Sequence, residues 1–208
     1  VRPRIEADEV RARIVDVAEE HFRRVGYART AVADIAAVLG MSPANIYRYF
    51  ASKSAINDAI CQRLTAQAQG LVEAIVLGPG TASERLMRVA VELHRSNKAR
   101  LTEEHRLHDM VQVAMAENWP AIEAHIREME ALFARLIRDG VAAGEFHAED
   151  PEEAARTLFD CFITVFHPAL IAQCAHLDLE AQARAIARFV LRALTNPSPA
   201  GATGPEPA

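Results

Sequence analysis

Residues Thr30 to Lys53, TAVADIAAVLGMSPANIYRYFASK, decide the architecture. Val32, Ile35 and Ala36 recur at helical spacing and predict a short helix over residues 31–38, with Thr30 as its cap and Leu39-Gly40 as its end. Ser42-Pro43 then reads as an N-cap followed by proline at the first helical position, opening a second short helix to about Phe50. Ile46 and Phe50, four residues apart, make its buried stripe. Two short helices joined by a tight turn at Gly40 form a helix-turn-helix.

The second helix then presents Pro43, Ala44, Asn45, Tyr47 and Arg48 outward. Small residues at the helix start let the backbone approach DNA closely. Asn45 can read base edges, Arg48 suits guanine or phosphate, and the hydroxyls of Tyr47 and Tyr49 suit phosphate oxygens, though Tyr49 lies nearer the buried stripe. The helix start at Ser42 is itself phosphate-seeking, and Lys53 adds a cation at the start of the next helix. With Thr30, these residues form the expected DNA-binding set.

The pattern Thr30, Val32-Ala33-Asp34-Ile35-Ala36, Gly40, Ser42, Ile46-Tyr47-Arg48-Tyr49-Phe50, Ser52-Lys53 resembles the DNA-binding domain of TetR/AcrR-type transcriptional regulators over about residues 8–60. Two positions depart from the family habit: Pro43-Ala44 stand where lysine and glycine are common, and Ala31 replaces a frequent second hydroxyl residue. The resemblance implies a homodimer formed through the last two long helices, and a C-terminal part that binds a small effector.

Outward from this segment the chain is helical throughout. An all-α fold of about nine helices is expected: a three-helix N-terminal domain over 1–53, a ligand-binding and dimerisation bundle over 54–195, and a disordered tail over 196–208 holding four of the ten prolines. The predicted helices run over 8–25, 31–38, 43–50, 52–76, 81–97, 103–117, 120–140, about 151–166 and 179–194. A capping box at Thr81-Ala-Ser-Glu84, a cap at Thr102, stops at Gly140 and Gly144, and a break at His167-Pro168 punctuate them. The apolar face around Leu158 to Phe166, with Ile186, Phe189, Val190 and Leu194, is the expected dimer surface.

An effector pocket needs apolar walls with a few polar groups, which makes His94, His108, Met110, Met115, Trp119, Phe133, Phe159, Phe162 and Phe166 its candidates. Eight histidines, with His105-x-x-His108-Asp109 on one helical face, keep a metal-sensing alternative open in which His94 or His167 takes part; no other cofactor is implied. A helical enzyme and a protein-binding adaptor are the other classes. Against an enzyme, the chain lacks Glu-x-x-His, His-Glu-x-x-His, a phosphate loop and a nucleophile elbow.

Three cysteines, Cys61, Cys161 and Cys174, make no disulfide framework and read as buried bystander thiols in a reducing compartment. No apolar run approaches the roughly 18 residues of a membrane span, and the N-terminus lacks a secretory stretch, so a soluble cytoplasmic protein is expected. A net charge of −5 is, taken as an average, unfavourable for a DNA partner. Yet residues 1–60 carry nine Lys and Arg against eight Asp and Glu, and the remainder carries net −6. The acidity belongs to the bundle, while Gly40 to Lys53 contains no acid.

Overall fold

A computed structural model describes residues 2–102 and 119–196, with side-chain surroundings over 7–99 and 121–196. Among the described residues there are no strands and ten helices: α1 (Arg2–Val25), α2 (Val32–Val38), α3 (Pro43–Tyr47), α4 (Lys53–Val76), α5 (Ala82–Thr102), α6 (Trp119–Ala142), α7 (Pro151–Cys161), α8 (Ile163–Phe166), α9 (Pro168–Gln173) and α10 (Leu179–Thr195). The expected nine are therefore too few, even without the predicted helix over 103–117, which lies outside the described residues.

The extra helices come from one apolar stretch that breaks twice. Phe162 is the C-cap of α7, and His167 that of α8; the His167 ψ of 124° is the extended conformation that a following proline imposes. Pro168 then takes the first position of α9, and the Nδ1 of His167 accepts from the Ala169 N–H at 3.2 Å.

Cap chemistry sets most of the other boundaries. Ser42 accepts from the Asn45 N–H at 3.2 Å and Ser52 from the Ala55 N–H at 3.0 Å, so α3 and α4 begin where their caps predict. At α5, the Thr81 N–H donates to Glu84 and the Glu84 N–H to the Thr81 hydroxyl, completing the capping box. A second carboxylate, Glu145, reaches this helix start from 62 and 63 residues away in sequence and accepts from the Ala82 and Ser83 N–H groups at 3.0 and 3.1 Å.

Several boundaries differ from expectation. Ala31, not Thr30, is the N-cap of α2, and its N–H donates to the Asp34 carboxylate. α1 begins before Asp8, and α3 is one short turn ending at Tyr47. α5 runs past Asn97, so Thr102 is its last residue rather than a cap. Gly140 lies inside α6 and does not stop it; it is there because a Cβ would sit 2.2 Å from the buried Phe146 ring. The stop falls at Gly144, whose φ of +73° suits glycine.

Ile14, Ala18, Phe22, Ile35, Ile46 and Phe50 bury the inner faces of α1 to α3. α4 packs on α1 and also on α5 and α6, so one helix is shared by the N-terminal unit and the bundle. Across the first of these contacts, Arg63 on α4 donates to both Asp16 and Glu19 of α1, and Glu19 is itself buried and paired with Arg23. Within the bundle α6 packs on α7, and α5 packs on α10.

Candidate nucleic-acid interface

The buried stripe of α3 fixes which way its other residues face. Ile46 is fully buried and Phe50 nearly so, which leaves Ser42, Pro43, Ala44, Tyr47 and Arg48 exposed. Tyr47 is 51% exposed although it is a large aromatic residue. Asn45 and Tyr49 are half-buried, and Tyr49 packs against the core, as its place beside the stripe predicts. The free face therefore combines a small-residue helix start, an amide, a phenol and a guanidinium on a rigid support. Those groups can contact base edges and phosphates from a single short helix.

Two expected members of the set point the other way. Thr30 is buried, and its hydroxyl donates to the Gly26 carbonyl at 2.9 Å. Lys53 donates from Nζ to the carbonyls of Tyr27 at 2.9 Å and Thr30 at 3.1 Å, and lies 4.3 Å over the Tyr27 ring. Both hold the connection between α1 and α2 against the start of α4, and so position the exposed face from behind.

Arg11 belongs to the same support, and sequence reading missed it. Its guanidinium lies 4.3 Å over the Phe50 ring and donates to the Tyr49 carbonyl. No local pattern could reveal this, because the partners are 38 residues apart.

The expected effector residues fall into three groups. Phe133, Phe162, Phe166 and His94 are buried in the bundle, with Phe159 packed at its edge. The four phenylalanines form two separate ring pairs, a tilted Phe133–Phe159 pair at 6.1 Å and a stacked Phe162–Phe166 pair at 4.9 Å. His108, Met110, Met115 and the side chain of Trp119 lie outside the described residues, as do His105 and Asp109 of the metal alternative. Among the described residues, no group of three or more His, Cys, Asp or Glu is placed to hold a metal ion.

Leu158, Phe162, Val165 and Phe166 line the interior of the bundle, so most of the face expected to meet a partner is core instead. Its outward members are Ile163, and Phe189 of α10, which is 71% exposed. Phe189 borders an open groove of about 810 Å³ lined also by Phe146, Leu158, Cys161, Val190 and Leu194. Of the three thiols only Cys61 is buried, and burial beside Asp58 pushes it up to about 11; Cys161 is exposed, contrary to expectation.

A helix-turn-helix unit on a helical bundle is the class that this geometry defines. Two family models match the chain: "Bacterial regulatory proteins, tetR family" over residues 14–60, and "Tetracyclin repressor-like, C-terminal domain" over residues 82–187. The chain belongs to the TetR family of transcriptional regulators. It is 30% identical over 169 residues to the probable HTH-type transcriptional regulator ArpR of Pseudomonas putida, covering 76% of this chain and 79% of that one.

Among solved structures it resembles a TetR/AcrR-family regulator from Thermobifida fusca, with 28% identity, a TM-score of 0.63, and 88% and 97% of the two chains covered. It also shares its fold with SmeT, the repressor of the Stenotrophomonas maltophilia multidrug efflux pump SmeDEF, at 24% identity and a TM-score of 0.68 over 95% and 97% of the chains. SmeT is also known as a complex with triclosan. No helix among the described residues is long and apolar enough to cross a membrane.

Proposed function

We propose that the protein is a homodimeric, ligand-responsive repressor that binds a palindromic operator and is released by a small apolar effector. The observation that carries the DNA contact is the exposed Tyr47 and Arg48 on a helix anchored by fully buried Ile46. Ser42, Pro43, Ala44 and Asn45 complete the contact surface, with Tyr49 at its edge. Residues 1–53 act as the reading domain and 54–195 as the effector and dimerisation domain.

One α3 of five residues covers few base pairs, so high affinity calls for a second copy placed one helical turn along the DNA. The groove flanked by exposed Phe189 supports that second copy, since a large solvent-facing aromatic beside Val190 and Leu194 gains most when buried against a two-fold partner. The bundle's aromatic core supports an apolar effector. Because α4 touches both units, an effector that prefers one placement of α4 alters the spacing of the two α3 helices and weakens operator binding.

The test is fluorescence anisotropy with DNA from upstream of the gene itself, at increasing salt and with candidate effectors. Binding that falls steeply with salt and involves two copies per duplex is expected. DNA binding by a monomer, or affinity that no saturating ligand changes, overturns the dimeric or the inducible part respectively.

A further inference from the structure

The break between α8 and α9 interrupts the helical bonding of the carbonyls before it, those of Val165 and Phe166 included. The Ala169 N–H, which would serve Val165 in a continuous helix, is taken by His167, and Pro168 carries no N–H for Thr164. Two side chains of α5, one turn apart, supply the missing donors. His94 Nδ1 bonds the Val165 carbonyl at 2.9 Å, and Asn97 Nδ2 the Phe166 carbonyl at 3.0 Å.

A carbonyl can only accept, so the proton of His94 stands on Nδ1. In the neutral ring that leaves Nε2 as a lone-pair acceptor. His94 is fully buried, and among the described residues its Nε2 has no hydrogen-bond partner. A buried acceptor left unpaired is costly, and a native protein that keeps one calls for an explanation. Asn97 could have satisfied one carbonyl and any other donor the second, so capping the break does not require a ring with a second, unused nitrogen.

We infer that His94 Nε2 is the polar anchor of the effector site, and that the effector is an apolar molecule carrying a hydroxyl or N–H donor. The inference rests on the effector-responsive reading above and specifies its chemistry. It also places the anchor where a signal has a route: the ring that grips the ligand is tied through Nδ1 to the interrupted α8, and α5 packs directly on α4.

The test uses 2-naphthol and 2-methoxynaphthalene, which share their rings and differ in the donor. Calorimetric titration of the full chain is expected to show 2-naphthol binding about tenfold tighter, the worth of one hydrogen bond. In protein labelled with ¹⁵N-histidine, the unprotonated Nε2 signal of His94 is expected to move on adding 2-naphthol and to stay in place with the ether. His94→Phe is expected to equalise the two affinities; where that variant fails to fold, the ¹⁵N shift in the wild type decides.

Equal affinities with an unmoved Nε2 signal overturn the inference, as does failure of both probes to bind or an Nε2 already protonated in the free protein. Operator release is scored separately. Release by 2-naphthol without the donor preference leaves the effector reading standing and removes His94. Donor-dependent binding that leaves operator affinity unchanged keeps the His94 site and removes the effector reading.

Discussion

Lys53 hydrogen-bonds the carbonyl of Thr30 at 3.1 Å, joining the first residue of α4 to the segment just before α2. The same ammonium bonds the Tyr27 carbonyl and covers the Tyr27 ring. A cation that looks like a phosphate contact in sequence is thus a brace within the domain. Lys53→Met is expected to lower stability by about 1.5–3 kcal/mol, the value of charge-assisted hydrogen bonds, measured by denaturant unfolding. The slope of log affinity against log salt should stay at the wild-type value, because no phosphate contact is lost.

Arg48 and Tyr47 behave in the opposite way. Arg48→Ala is expected to weaken operator binding and reduce the salt slope by about one, with Tm within a degree or two of wild type because the side chain is exposed. Combined with Tyr47→Ala it should abolish operator binding while sedimentation still reports the parent's oligomeric state. Wild-type affinity in the double variant removes α3 from the interface.

Gly140→Ala inverts the usual rule for helices, where the change gains up to about 1 kcal/mol. Here the new Cβ meets the Phe146 ring, which is 2% exposed and cannot swing away freely. A loss of about 1–3 kcal/mol is expected from overpacking. Gly140→Ala with Phe146→Leu should lose less than the two single changes added together, as a double-mutant cycle in thermal unfolding will show.

Acid sensitivity should arise partly at Glu180. Its hydrogen bonds from Arg95, then those from Arg184, hold the carboxyl down to about 2 against an ordinary 4.5. A carboxyl depressed by folding stabilises the native state fully above its unfolded value and loses that contribution as pH falls toward the folded value. Tm of wild type and Glu180→Gln should therefore differ most above pH 4.5 and converge as pH approaches 2. Glu145 shifts in the same direction: burial works against ionisation, but the Ala82 and Ser83 N–H groups outweigh it. Glu145→Ala is expected to cost about 0.5–2 kcal/mol at neutral pH, as a lost cap does.

The exposed and buried thiols test the proposed dimer surface. Cys161 lines the groove beside Phe189, whereas Cys61 is buried and held protonated. At high dilution a maleimide should label Cys161 and spare Cys61; at concentrations that favour the dimer, labelling of Cys161 should slow. Labelling that does not depend on protein concentration places the dimer surface elsewhere.

Sequence by itself determined the helix-turn-helix, the caps at Ser42, Ser52 and Thr81, the break at His167-Pro168, and the inward stripe of Ile46 and Phe50. All of these depend on residues within about four positions of one another, where spacing and cap chemistry act. Tertiary structure alone decided that Thr30 and Lys53 turn inward, that Arg11 braces Phe50, and that Gly140 makes room for Phe146. It also decided that most of the apolar Leu158–Phe166 face is core, and that His94 and Asn97 cap carbonyls 71 and 69 residues further along. The physical reason is that a polar atom's partner, or a ring's neighbour, is chosen by which helices pack together. Many distant residues of the same type satisfy the same local pattern, and only packing selects among them.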